Sequence, residues 1–232
     1  MPAPSHSAEA EEESLKLVED FNTELIHALD SLGGKKSGGI LDGYRFWSSK
    51  HLQRAVDGFA FLRRSGRMDG SKFLVRPAIE MAFRLEAGKH PDSFYRIAHE
   101  EHRQNKHLLR GKSQLLAQNE KDWERFKNTF VEEFPAIPIP NLCERCDRLT
   151  IEQVAMKAEM KSYYDSHYRI YSRYTHGALH ASTGNIDKAT DRADNKTIAI
   201  CALVALDNLI SLGAKSSNRD RLEKRLRGLP GC

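Results

Sequence analysis

Long hydrophobic runs are missing from this chain of 232 residues. No stretch approaches the roughly 20 apolar residues that a membrane-spanning helix needs. The N-terminal segment has neither a basic flank nor an apolar core and leads into three glutamates at 11–13, so it does not resemble a signal peptide. We therefore expect a cytoplasmic protein with no membrane partner.

The glycine-rich motifs of nucleotide enzymes are also missing. The chain contains no G-x-x-x-x-G-K-[ST] loop, no G-x-G-x-x-G after a strand and no G-x-S-x-G elbow. An ATPase, a dinucleotide-dependent oxidoreductase and an α/β-hydrolase are therefore poorly supported, and we expect no cofactor.

Cysteine is scarce, with four residues in the chain. Cys143 and Cys146 form one C-x-x-C pair in a proline-rich loop, but a structural zinc site needs a second pair of ligands. Cys201 lies in an apolar stretch and Cys232 is the last residue, so no second pair stands out. We expect no metal, although the sequence leaves open whether Cys143 and Cys146 bind one.

Two further segments resemble metal motifs but fall short of them. His99-Glu100-Glu101-His102 is one residue shorter than the H-E-x-x-H motif of zinc proteases. Glu24 and His27 match half of a di-iron motif, which would need a second copy. A solvated, charged helix face is the better interpretation of residues 99–107.

Formal charge is slightly positive, at +4, and it is unevenly distributed. Residues 8–30 are acidic, whereas residues 219–227 are basic. Such a balance permits nucleic-acid binding without requiring it, and any single cluster can equally be a solvated helix face.

Alternating β-branched patterns are absent, and the apolar residues recur with helical period instead. The pattern predicts an all-α fold, a single helical bundle. Its domains would be an acidic N-terminal helix with a glycine-rich loop at 1–40, a bundle at 41–214 and a basic tail at 215–232.

The first three predicted helices cover 8–32, 41–64 and a segment that runs from a cap at Ser71 to near Gly88. One or two exposed helices follow within 92–133. The last three cover 151–159, which is capped by Thr150, 160–176 and 190–213. Pro77 implies that the third helix starts late or is kinked.

Residues 163–177 are the most unusual segment, with five tyrosines in twelve residues among arginines and histidines. Because an α-helix advances about 100° per residue, one stripe of the helix would carry Arg169, Ser172, Arg173 and His176. A guanidinium and an imidazole on one face can hold a phosphodiester, and the imidazole can act as general acid or base. The competing interpretation is that the tyrosines are core residues and His176 interacts with the last helix carbonyls.

A second constellation consists of Arg76, Glu80 and Arg84, which share one helix face. It can be a surface ion pair worth a few tenths of a kcal/mol. Alternatively, Glu80 is buried and orients Arg169 or His176.

The spacings Arg76-x-x-x-Glu80 and Tyr171-Ser172-x-x-x-His176-Gly177 resemble a broad group of uncharacterised bacterial helical proteins, over about residues 41–212. More distantly, Arg169 and His176 are similar to the R-x(4–6)-H motif of HEPN (higher eukaryotes and prokaryotes nucleotide-binding) ribonucleases. That resemblance implies a HEPN-like bundle that forms a homodimer and places two such motifs in a shared cleft.

The same resemblance implies metal-independent cleavage of RNA. His176 would be the general acid/base and Arg169 would stabilise the transition state, while tyrosines such as Tyr168 and Tyr171 could stack bases. Many such proteins are toxins or phage-defence effectors, which implies RNA and a cognate antitoxin or defence protein as partners. The alternative is a non-catalytic binding module for a nucleotide, an anionic ligand or a partner protein.

Overall fold

The structure, a computed structural model, describes residues 6–33, 38–139, 149–175 and 188–229; the side chains of residues 6–8, 173–175 and 188–190 fall outside this description. Every regular element in these ranges is helical, so the predicted all-α bundle is confirmed. The helices are α1 (His6–Leu32), α2 (Ile40–Arg64), α3 (Met68–Ala87), α4 (Pro91–Leu108), α5 (Ser113–Glu133), α6 (Ile151–Lys157), α7 (Lys161–Tyr163), α8 (Arg169–Thr175), α9 (Lys188–Ser211) and α10 (Arg219–Gly228). A π-helical turn, Tyr164–Tyr168, joins α7 to α8. Over the ranges described, no helix combines the length and apolar character needed to cross a bilayer.

One hydrophobic core joins α1, α2, α3 and α9. The acidic helix α1 buries an apolar stripe that includes Phe21 and Leu25, and α9 buries Leu206 and Leu209 against it. Each such side chain contributes about 1.5–3 kcal/mol when fully buried. Leu222 of the basic helix α10 joins the same core, so the first and last helices are both packing layers of the bundle.

The polar region 92–133 forms two helices, α4 and α5, separated by a turn in which Gly111 has a φ of +81°. They are amphipathic rather than exposed on all sides. Phe94, Tyr95 and Phe130 are buried in a second aromatic cluster, with Trp123 and Phe126 packed against it.

The predicted start of the third helix was wrong. Helix α3 begins at Met68, and the hydroxyl of Ser71 donates to the Met68 carbonyl within the helix instead of capping it. The helix also continues through Pro77. Phe73 and Pro77 are both exposed, so water can satisfy the carbonyl that would otherwise receive the missing proline N–H.

The predicted cap at Thr150 is confirmed. Its hydroxyl accepts from the backbone N–H of Gln153, and the Gln153 side chain accepts from the backbone N–H of Thr150. The helix predicted at 160–176 is interrupted by the π turn, which directly precedes Arg169. Turns of this kind occur frequently at functional sites.

Candidate functional site

Tyr168, the last residue of the π turn and the one directly before α8, links this segment to α3. The Tyr168 hydroxyl donates to Oε1 of Glu80 at 2.7 Å, and Nε of Arg76 donates to the same oxygen at 2.9 Å. The Arg76 guanidinium lies 5.5 Å from the centre of the Tyr168 ring. One carboxylate therefore joins a buried tyrosine to a partly exposed arginine, so the predicted Arg76–Glu80 pair is more than a surface ion pair.

The surroundings of this cluster keep Tyr168 neutral and Arg76 charged. Burial, together with the hydrogen bond to Glu80, raises the pKa of Tyr168 to about 12. Burial acts to lower the pKa of Arg76, but the hydrogen bond and charge of Glu80 outweigh it and raise the pKa. At neutral pH the tyrosine is a permanent donor and the arginine a permanent cation.

A second contact between α8 and the rest of the bundle lies about one turn further along the chain, in the interior of the bundle. The Tyr171 hydroxyl donates to the carboxylate of Asp194 on α9, and that carboxylate is also bound by Arg63 of α2. Arg63 lies 2.8 Å from Asp191, and Lys72 of α3 lies 3.3 Å from the same Asp191 carboxylate. This buried charge cluster therefore connects four helices.

Two cations and two carboxylates balance one another in the buried charge cluster. Burial raises the pKa of Asp194, while the hydrogen bond from Tyr171 and the charges of Arg63 and Lys72 act in the opposite direction. Burial and the charge of Asp194 also raise the pKa of Tyr171. Removing one partner would leave a buried charge uncompensated, at a cost of about 3–5 kcal/mol.

Two residues of the predicted catalytic stripe, Arg169 and Ser172, are described, and they lie next to buried tyrosines in the chain. Tyr168 and Tyr171 are buried, Ser172 is half-buried and Arg169 is exposed. His176 and the side chain of Arg173 lie outside the described residues. The two tyrosine bonds fix the rotation of α8 about its axis, and this rotation presents Arg169 to solvent.

Two expectations about this segment need correction. Tyr168 and Tyr171 are only 6% and 3% exposed, so they cannot offer a ring face for a base to stack on. Among the described side chains, Glu80 is half-buried and binds Tyr168 and Arg76 rather than orienting Arg169. The alternative that Glu80 orients His176 stays a prediction, because His176 lies outside the described residues. The physical reason is the same for both corrections: tyrosines that face the bundle donate their hydroxyls to carboxylates that also bind an arginine, so the rings are buried and the carboxylates are occupied.

A cavity of about 370 Å³ opens beside Tyr168, between α3, α4 and α6. Its polar lining comes from Arg76, Glu80, Arg84, Glu100, Gln104, Thr150 and Tyr168. Arg84 pairs with Glu101 at 3.0 Å, while Glu100 binds Arg103 at 2.6 Å. The cavity thus presents charges of both signs, and four of the five residues predicted to support the site line it: Arg76, Glu80, Arg84 and Tyr168.

The segments that resembled metal motifs have other roles. Both Glu24 oxygens accept hydrogen bonds from residues 216–218, at the start of α10. His102 stacks on Trp123 with ring centres 4.9 Å apart, so the 99–107 segment is only partly a solvated face. No group of three or more potential ligand side chains in the described part of the chain could hold a metal ion. Cys143 and Cys146 lie outside that part.

The buried charge cluster was not predicted from the sequence. The available signal was a charged residue at a position where helical period requires an apolar one. Arg63 follows Phe59 and Ala60 by one turn, and Asp194 precedes Ile198 by one turn. Such positions identify buried charges but do not identify their partners.

A family model described as a family of unknown function (DUF5677) matches residues 51–194, more than half of the chain. The chain belongs to the DUF5677 family. The DUF5677 match includes Arg76, Glu80 and Arg169 and extends to Asp194. The hydrogen bonds of both buried tyrosines therefore lie within it. All of α1 and all of α10 lie outside the DUF5677 region. Comparisons with curated proteins and with solved structures gave no significant match.

Proposed function

We propose that this DUF5677 protein is a metal-independent endoribonuclease of HEPN type that acts as a homodimer, in a toxin or phage-defence role controlled by a cognate partner. The observation that carries the proposal is the exposure of Arg169 on a helix whose rotation is fixed by Tyr168 and Tyr171. A catalytic cation must be accessible to a phosphodiester and must be held in place before the substrate arrives. Arg169 meets the first requirement through its exposure, and the hydrogen bonds of Tyr168 and Tyr171 support the second by holding the backbone on either side of it.

In the proposed reaction, the 2′-oxygen of a ribose attacks the adjacent phosphorus while its proton passes to a histidine. The bond from phosphorus to the 5′-oxygen breaks, and that oxygen takes up a proton as it leaves. The products are a 2′,3′-cyclic phosphate and a 5′-hydroxyl. His176 is assigned the proton transfers, and Arg169 stabilises the charge that accumulates on the phosphoryl oxygens.

The experiment that tests this proposal is RNA cleavage in the presence of EDTA by wild type and His176→Ala. His107→Ala, which removes an exposed histidine from α4, is the matched control. We expect cleavage by wild type and the control, with cyclic phosphate ends, and none by His176→Ala at unchanged helical content. Full cleavage by His176→Ala would exclude the assigned role.

The mixed-charge cavity favours a second candidate, a non-catalytic module that binds a nucleotide or another polar ligand. Its arginines and glutamates offer donors and acceptors around a volume suited to a small molecule. This candidate predicts that mononucleotides raise the melting temperature of the protein and that Arg76→Ala abolishes the increase. Under this candidate, wild type cleaves no RNA.

A further inference from the structure

A second, larger cavity lies on the opposite side of a polar ridge on α3, which is formed by Glu80 and Arg84. It has a volume of about 530 Å³, and its lining includes Tyr44, Trp47, His51, Pro77, Met81 and Arg84. Glu80 and Arg84 line both cavities, so the two share a wall. Because Glu80 and Arg84 are four residues apart on α3, this shared wall is about 6 Å long.

Trp47 is the unusual residue of this second cavity. Its side chain is 56% exposed, whereas Trp123 is half-buried in the aromatic cluster of α4 and α5. The Phe46 ring is nearly perpendicular to the Trp47 ring, with centres 5.6 Å apart, and Nζ of Lys50 lies over the Trp47 ring, 5.0 Å from its centre. An exposed indole with a cation on one face resembles the stacking platforms that bind single-stranded nucleic acids, and it leaves the other face for a base.

The rest of the lining offers apolar groups for the face of a nucleobase and polar groups for its edge. Pro77 and Met81 supply an apolar wall, whereas His51, Arg84 and Glu101 supply polar groups. The Arg84 guanidinium and the Glu101 carboxylate lie 3.0 Å apart. Together they present a donor next to an acceptor, and the edge of a base carries the complementary acceptor and donor. A purely apolar segment of protein or lipid would remove this ion pair from water without offering it any further hydrogen bond.

We propose that the second cavity is a base-binding subsite in which one nucleobase of single-stranded RNA stacks on Trp47. The inference rests on the proposed function, because it supplies the aromatic platform that Tyr168 and Tyr171, being buried, do not provide. The strand would cross the ridge at Arg84 and lie with its scissile phosphate on the Arg169 side. Trp47 is therefore a substrate-positioning residue and takes no part in bond breaking.

The test is the binding of a fluorescently labelled single-stranded RNA oligonucleotide to the His176→Ala variant, followed by anisotropy. In that background we compare Trp47→Ala with Phe61→Ala, which removes another exposed aromatic ring from α2, 66% exposed and outside the cavity. We expect Trp47→Ala to weaken binding by about tenfold or more, the usual effect of losing one stacked base, and Phe61→Ala to change it less than twofold. Equal affinities for the two variants would overturn the subsite.

Intrinsic fluorescence provides a second measurement. The chain has two tryptophans, so Trp123→Phe leaves Trp47 as the sole reporter. We expect RNA to quench this emission at constant protein concentration. A change that follows protein concentration without RNA would instead make Trp47 a protein contact and overturn the subsite.

The two proposals fail in different ways. RNA binding that depends on Trp47, with no cleavage by wild type, would contradict the ribonuclease and retain the subsite. Cleavage that depends on His176, with an unchanged KM in Trp47→Ala, would retain the ribonuclease and remove the subsite.

Discussion

The hydroxyl of Tyr171 donates a hydrogen bond to the carboxylate of Asp194, which has no solvent exposure. Through Asp194 the tyrosine is joined to Arg63 and Lys72, so the orientation of α8 depends on three other helices. The position of the exposed Arg169 on α8 therefore depends on charged residues in the interior of the bundle.

Asp194→Asn should destabilise the fold strongly, because it leaves Arg63 and Lys72 with one carboxylate instead of two. We expect a loss of about 3–5 kcal/mol in the free energy of unfolding, measured by urea denaturation at pH 7. Asp220→Asn is the matched control, since the Asp220 side chain is 96% exposed, and should change stability by less than about 0.5 kcal/mol. Similar effects of the two substitutions would show that the buried charge cluster is not structural.

Tyr168→Phe and Glu80→Gln should be coupled, because each removes one side of the same hydrogen bond. We expect each single variant to lose about 0.5–1.5 kcal/mol of stability and the double variant to lose less than the sum. The measurement is a double-mutant cycle by urea denaturation, run in parallel with the RNA cleavage rate. Additive losses would mean that the two residues do not interact in solution.

The sequence predicts most of the helices because their apolar residues recur with period 3.6, a local property. The Thr150 cap was predictable for the same reason, since its partner Gln153 is three residues away. The Ser71 cap was wrong because the serine lies one turn inside a helix that begins at a less typical residue, Met68. Residues 164–168 carry no local signal for a π turn.

The site was harder to predict because its contacts join residues that are distant in the chain. Tyr168 reaches Glu80 across 88 residues, and Arg63 reaches Asp194 across 131. Helical period placed Arg76 and Glu80 on one face correctly, but the partner across the bundle depends on how the helices pack. Buried tyrosines and exposed tyrosines also look alike in sequence.

Glu24 should make the stability of the bundle depend on pH. Burial acts to raise its pKa, but hydrogen bonds from Ser216, Ser217 and Asn218 outweigh burial and lower the pKa below the ordinary value of 4.5. A lowered pKa means that the ionised form stabilises the folded state above pH 4.5 and that this contribution is lost as the pH falls through the folded-state value.

Glu24→Gln should therefore cost about 1–3 kcal/mol at pH 7 and progressively less below pH 4.5. Urea denaturation at several pH values measures the difference, with the exposed Glu13→Gln as control. A deficit that stays constant from pH 7 to pH 3 would argue against an ionised Glu24 at the start of α10.

The catalytic role of Arg169 is tested by the single-turnover rate of RNA cleavage in EDTA by Arg169→Ala, compared with wild type and with Arg110→Ala, which removes an exposed arginine from the turn between α4 and α5. We expect a loss of about 100-fold or more for Arg169→Ala, the usual effect of removing one group that stabilises transition-state charge. We expect less than a twofold change for Arg110→Ala. Equal rates for Arg169→Ala and wild type, or no cleavage by wild type, would exclude the proposed role of Arg169.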